Sequence, residues 1–500
     1  MSGLRRYAHA LRASRSRQLA SRLKRPASRR RFPRPSGQGP FRSLEPGFWQ
    51  SPAFAHADEV AGPGEVRLLG KSFAFPPTDW SLAAEPRLRR FHLQYGDDVL
   101  GWARRGELRA AHDGLAAWIV ANPPRRGDAW HPYPLSTRVG NWVAALSIAP
   151  ELASGDVVAS LRRQLAFLER NVEDDILGNH LIRNARALVL GGVALDGGAL
   201  LDRGLALLRR ELPEQVLSDG GHYERSPVYH LVVLRDLLEV RAATGEDWLD
   251  EPIERMRRFA AALTRPDGNP ALFNDGTLDL APRLDLPEPA AGLTVFPETG
   301  YAVMREGTVW LAFDCGPPAP RFLPAHAHAD ALSFQLWNGQ QPLVVDPGTY
   351  TYEPGELRDW FRSTPAHSTV ALGGRDQFEL WGAFRSGPLP PVRLVSTSPL
   401  EAEVLLGNRR HRRTLHLDGQ RLVVDDLVDG RGSELVLSSL PLAHGAEVDV
   451  RPVGSGELSR RDGWLAETMF EREQIAIVRS EAHVELPAQA GWSIGLGSSS

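Results

Sequence analysis

Apolar residues recur at helical spacing from about Trp102 to Arg265 and at strand-like spacing after about Pro270. In the first stretch, Gly114–Ala121, Val139–Ser147, Val157–Asn171, His180–Leu190, Leu200–Glu211, Ser226–Ala243 and Pro252–Thr264 each predict a helix or part of one. Short connectors such as Asp196-Gly197-Gly198 and Pro266-Asp267-Gly268 separate them, so successive helices must pack antiparallel. No fixed-period repeat is present. In the second stretch, short β-branched or alternating segments predict strands, among them Thr308–Asp314, Ala331–Trp337, Pro342–Val345, Ser368–Leu372, Arg412–Leu417, Arg421–Asp426 and Gln474–Arg479. Gly, Asp and Pro punctuate them without an intervening helical pattern. The fold class is therefore α+β and multidomain, an all-α half followed by an antiparallel sandwich. Ligand clefts favour such junctions, so the site is expected to draw on both halves.

Composition narrows the picture. The 500 residues are 42% hydrophobic and 24% charged, too much chain for one ordinary core and globular in character. No run approaches a membrane-spanning helix. The single cysteine, Cys315, excludes an internal disulfide framework and a thiolate zinc cluster but does not fix the compartment, leaving cytoplasm and periplasm both open. The net charge of −3 hides an asymmetry: residues 1–35 hold twelve of the 58 Lys+Arg and no acid, leaving 46 against all 61 Asp+Glu, a net of −15. A basic, disordered arm over residues 1–45 is expected to precede an acidic body. That acidity argues against nucleic acid as the main ligand. The arm lacks the apolar stretch and small-residue cleavage site of a secretory signal.

Three polar constellations could carry chemistry. Gly178-Asn179-His180 opens an apolar helix, where the Asn either caps the helix or presents its amide toward a groove. Asp219-Gly-Gly-His222-Tyr-Glu224-Arg-Ser-Pro-Val-Tyr229-His230 crowds two tyrosines, two histidines and two acids at a helix entry marked by Ser226-Pro227. Tyr229 then falls in the first turn, where a ligand could reach it. In His326-Ala-His328-Ala-Asp330, an extended chain would set all three polar side chains on one face, with Asp346 and His367 downstream. His, His and Asp together suit either a tautomer-fixing pair or a zinc site without thiolates. No Gly-x-Ser-x-Gly elbow, P-loop or dinucleotide fingerprint is present, so neither an α/β-hydrolase nor a nucleotide-binding protein is supported.

At these residues the chain resembles the heparinase II/III family of polysaccharide lyases. The matching stretches are Trp130–Trp142, Asn179–Asn184, Asp219–His230, and His326–Phe334 continuing through Val345–Tyr350 and Asp359–Val370 to Asp376–Trp381. The resemblance implies an incomplete (α/α) toroid over residues 46–285 and a β-sandwich over 286–500. It also implies β-elimination at a uronic acid of an anionic polysaccharide, giving an unsaturated uronate end. Carried over by motif, Asn179 and His180 would neutralise the uronate carboxylate, Tyr229 would be base, acid or both, and His326 would be its partner. His328, Asp346 and His367 match the family's metal positions, so one structural zinc is expected and no organic cofactor. Trp130, Arg138, His222, Arg362 and Trp381 are the expected substrate contacts. Two alternatives stay open. A glycoside hydrolase would need two facing carboxylates, for which Glu224 and Asp219 are nearest. A carbohydrate-binding or assembly protein could use tryptophans such as Trp130, Trp142 and Trp381 without turnover.

Overall fold

The computed structural model describes residues 3–28, 32–33, 39–45, 62–125, 127–195 and 197–497. Among these, helices Leu108–Ala121, Pro132–Ile148, Gly155–Glu169, Asn179–Ala194, Gly198–Gln215, Pro227–Thr244 and Asp250–Ala262 stand where the periodicity places them. Asn179–Ala194 is the central one, packing against Pro132–Ile148, Gly198–Gln215 and Pro227–Thr244. Nearly every residue of it is buried, including the polar Asn179, Arg183, Asn184 and Arg186.

The second half holds two large antiparallel sheets besides a short pairing of Leu380–Trp381 with Arg385–Ser386. In the larger, the strands run Glu457–Leu465, Glu473–Glu485, Ser433–Leu442, Gln341–Val344, Phe334–Asn338, Val309–Asp314, Tyr301–Glu306 and Gly292–Phe296, with Val370–Leu372 paired onto Ser433–Leu442. The smaller runs Val392–Thr397, Leu400–Leu406, Arg409–Asp418, Arg421–Asp429, Ala488–Gly495 and Val450–Pro452. One apolar cluster takes Phe313, Leu336 and Leu440 from the first sheet and Val404, Leu415, Val424 and Trp492 from the second, so the sheets pack face to face. The strand Val309–Asp314 is buried at every position and therefore reads as a continuous apolar run rather than an alternation.

Two features join the halves. Phe259 and Leu263 at the end of the last long helix pack with Phe296, Tyr301, Trp310 and Trp337 of the larger sheet. Burying a phenylalanine there contributes roughly 1.5–3 kcal/mol, so the junction is a true core rather than a hinge. The connector after Leu263 then passes between the halves and leaves Asp275 fully buried.

The basic arm is not disordered where it is described. Gly3–Ala13 and Ser16–Ser28 are helices laid across both halves. Arg6 pairs with Glu379 of the sheet half, whereas Arg15, Arg17 and Arg25 reach Glu214, Glu211 and Asp175 of the helical half. Excess arginine predicts disorder only when nothing answers it, and the acidic body supplies the partners.

Candidate active site

A cleft of about 1160 Å³ opens between the halves, lined by Tyr133, Asn179, His180 and Tyr229 on the helical side and His326 and Tyr352 on the other. Tyr229 stands in the first turn of Pro227–Thr244, whose entry is capped by Ser226 Oγ accepting from the Tyr229 amide at 3.2 Å. Its ring stacks on the His326 imidazole with centroids 4.1 Å apart, and its hydroxyl lies 3.0 Å from that of Tyr352. Burial first, then the neighbouring Tyr352, pushes the Tyr229 phenol well above its ordinary value, so it holds its proton at neutral pH.

Behind this pair sits Asp275, which the sequence did not single out. One of its oxygens is 3.1 Å from His326 Nδ1 and the other 3.0 Å from His328 Nε2, while Arg358 binds both in a fork. Burial alone would raise this carboxyl, but the Arg358 charge and the histidine hydrogen bonds outweigh it and hold it well below the usual range. An ionised carboxylate only accepts, so the facing ring nitrogens must carry the protons. With each ring neutral, this leaves the lone pairs on His326 Nε2 and His328 Nδ1. The first belongs to the ring that lines the cleft. The second is buried without a hydrogen-bond partner.

Asn179 is the first helical residue, preceded by Gly178 at φ 60°, so it does not act as the cap. Its amide donates to Glu224 Oε2 at 2.9 Å and its backbone N–H to Oε1 at 3.3 Å. Gly178 is required: a Cβ there would stand 1.8 Å from Glu224 Oε1. The His180 ring lies tilted against Tyr133 with centroids 4.3 Å apart, and its Nδ1 is 3.2 Å from the buried Glu173. Four non-glycine residues beside these groups, Leu177, Arg225, Asn274 and Leu332, have left-handed backbones. Each costs about 1–3 kcal/mol, and such strain gathers where side chains are held for a task. Asn274 shows how it is held, donating to the Arg225 carbonyl and accepting from the His328 N–H, both at 3.0 Å.

Two family models match the chain, Heparinase II/III N-terminus over residues 111–299 and Heparinase II/III-like, C-terminal over residues 288–494. The chain belongs to the heparinase II/III family. It is 28% identical over 340 residues to FtsZ-localized protein C of Caulobacter vibrioides, covering 63% of this chain and 58% of that one. With the heparin-sulfate lyase of Bacteroides stercoris it shares 26% over 417 residues, 70% of this chain and 60% of the other. It thus spans less than two thirds of these relatives' length. A crystal structure of heparinase III superposes with TM-score 0.71 at 16% identity, covering 96% of this chain and 90% of that one, which shows a shared fold.

Within this heparinase-like frame, several expected substrate contacts are misplaced. Arg138 is fully buried, donating to Gln164 Oε1 and to the carbonyls of Gln94 and Ala129. Trp130 is buried against Phe167 and donates to the Asn122 carbonyl, and Trp142 is core as well. His222 is buried beside Gln215, and Arg362 spends its guanidinium on the carbonyls of Ala327, Gly382 and Ala383. Trp381 is half-buried under Arg6 and does not line the cleft. Motif residues with long polar side chains looked like ligand contacts but bind backbone that must be satisfied internally. The cations that do line the cleft include Arg183 and Arg235. Arg183 lies one helical turn from Asn179, a signal available in the sequence. Asp219 is engaged by the Thr299 N–H and hydroxyl at 2.7 and 2.6 Å and does not line the cleft, so the expected pair of Glu224 with Asp219 is not presented there.

The metal-like cluster also differs in membership. The segment carrying His326, His328 and Asp330 is irregular rather than extended. Ligand atoms of His328, Asp330 and His367 lie within 4.8 Å of one another, whereas Asp346 hydrogen-bonds His367 Nδ1 at 2.9 Å. Both Asp330 oxygens and His328 Nδ1 are buried without hydrogen-bond partners. One imidazole and one carboxylate thus offer orphaned lone pairs that suit a zinc ion, whereas His367 has Nδ1 on Asp346 and Nε2 3.2 Å from the Phe361 carbonyl and would have to exchange one of these contacts for the metal.

Proposed function

We propose that the chain is a polysaccharide lyase, its helical half an incomplete (α/α) toroid, that cleaves a uronate-containing polymer by β-elimination. The observation that carries this is the stack of Tyr229 on His326, with Asp275 orienting the imidazole from behind. His326 Nε2 takes the proton beside the uronate carboxylate, and the electron pair forms the new carbon–carbon double bond as the glycosidic C–O bond breaks. Tyr229, protonated at rest, gives its proton to the departing oxygen. His180 and a second N–H of Asn179 meet the substrate carboxylate, lowering the cost of charge that develops on it. Arg183 and Arg235, held by Asp236 and Glu239, stand on the helical wall within reach of an anionic group. Incubation with alginate, heparan-type and chondroitin-type polymers is expected to raise ultraviolet absorbance from the conjugated uronate in at least one case. New reducing ends without that absorbance would replace elimination by hydrolysis.

A second reading, glycan binding without turnover, draws on the aromatic lining of the cleft by Phe91, Tyr95, Tyr133 and Phe384. Retained binding with no product across the whole polymer panel would select it.

His328 and Asp330 would hold one zinc, with His367 as third ligand once a ring nitrogen exchanges its present contact with Asp346 or the Phe361 carbonyl for the ion. Bound there, the ion would supply structural charge neutralisation, pinning the segment from which His326 reaches the cleft. Chelation is expected to lower the melting temperature at least as much as it lowers activity. Metal-free protein by elemental analysis, or activity lost with no change in melting, would remove a structural zinc.

A further inference from the structure

Of the nine strongly exposed large apolar side chains among the described residues, three fall in the 26 residues of the arm: Tyr7 at 59%, Leu11 at 57% and Leu23 at 84%. Such concentration in a basic segment asks for a partner.

The two helices divide their residues by face. Arg6, Arg15, Arg17 and Arg25 turn inward to Glu379, Glu214, Glu211 and Asp175, and Gln18 is buried beneath them. Outward, Tyr7 and Leu11 lie one turn apart on Gly3–Ala13 with exposed Ala8 between them and exposed Arg5 and Arg12 along one border. One side of Tyr7 is covered by Arg385; the rest is open. On Ser16–Ser28, exposed Ser16, Ala20 and Leu23 form a stripe with exposed Arg22 and Lys24 on either side. The inner arginines already fasten the arm to acids of the body. The outer cations and apolar residues are therefore not needed to dock the arm.

We propose that the outward face of these two helices docks on an anionic phospholipid surface. The helices lie in the headgroup plane with Tyr7, Leu11 and Leu23 inserted and Arg5, Arg12, Arg22 and Lys24 on phosphate. Nucleic acid would answer the four cations but leave the three apolar side chains in water, so lipid is the better match. No helix among the described residues is long and apolar enough to cross a membrane, so the association is peripheral. The arm also grips Phe322 and Asp175, next to Leu323 and Ile176 of the cleft wall, which keeps the cleft close to the lipid.

The test is flotation of the full chain with vesicles of phosphatidylcholine alone or mixed with phosphatidylglycerol. The chain is expected to float only with the mixed vesicles and to be released by high salt. Tyr7→Glu/Leu11→Glu/Leu23→Glu and, separately, Arg5→Glu/Arg12→Glu should each weaken flotation about tenfold or more. Both should stay close to the parent melting temperature, because of these residues only Tyr7 touches the body, through Arg385, which a glutamate there would also engage. Failure of the full chain to float with either vesicle overturns the proposal, as does flotation of both variants at the parental level. Retention on duplex DNA that the apolar variant leaves intact, with no flotation, would reassign the face to nucleic acid and overturn it too.

Discussion

Replacing Tyr229 by Phe is expected to cut kcat about 10²–10⁴-fold while leaving substrate affinity close to that of the parent. The substitution removes one oxygen. The ring that stacks on His326 remains, and only the 3.0 Å contact with the Tyr352 hydroxyl is lost. A net hydrogen bond of that kind contributes about 1 kcal/mol, too little to unfold the site. In the proposed elimination, the phenol pushed up by burial keeps its proton until the glycosidic oxygen leaves, so its removal would strike the step at which charge develops. Initial rates from the double-bond absorbance, set beside direct binding of the same polymer, separate the two effects. A rate within about tenfold of the parent would sink the assignment of Tyr229 as the acid. Binding that falls together with the rate would make it a substrate contact instead.

Asp275→Asn is expected to be the most damaging single change to stability, at about 3–5 kcal/mol. Arg358 is wholly buried and has Asp275 as its charge partner; its other partner is the Ala383 carbonyl, at 3.0 and 2.9 Å. An amide cannot accept from Arg358 and both imidazoles at once, so a buried guanidinium loses its counter-charge and a histidine loses its acceptor. Activity should fall as well, even when assayed well below the variant's melting temperature. His326 would no longer be held with its bare nitrogen toward the cleft, the effect of losing an orienting carboxylate behind a catalytic imidazole. A melting curve indicating a loss below about 1 kcal/mol would show that the cluster tolerates a neutral hub. Parental turnover in a destabilised variant would confine Asp275 to structure.

The division of labour between chain and fold is clearest at the helices. Apolar spacing and Gly/Pro punctuation are local properties, so the seven long helices and most strands were legible, as was the Ser226-Pro227 entry that sets Tyr229 in a first turn. Some strands escaped. Gly292–Phe296 and Tyr301–Glu306 sit beside the helical half, where packing rather than alternation decides the pattern. Motif resemblance placed Asn179, His180, Tyr229 and His326, and the structure brings all four to one cleft.

Three matters belonged to the tertiary structure alone. Arg138 and Arg362 look like anion contacts in one dimension, but whether a guanidinium meets solvent or carbonyls depends on what folds over it. The arm's order depends on acids up to about 370 residues away, which no window along the chain can join. Asp275 stands in a connector without periodicity or motif, and it became the hub because His326, His328 and Arg358, distant in sequence, converge on one buried carboxylate. Sequence determines which local shapes each segment prefers, because those preferences reside in neighbouring residues. The partners of a buried charge are settled only when the chain closes, because an ion out of water must be answered by whatever the fold brings within about 3 Å.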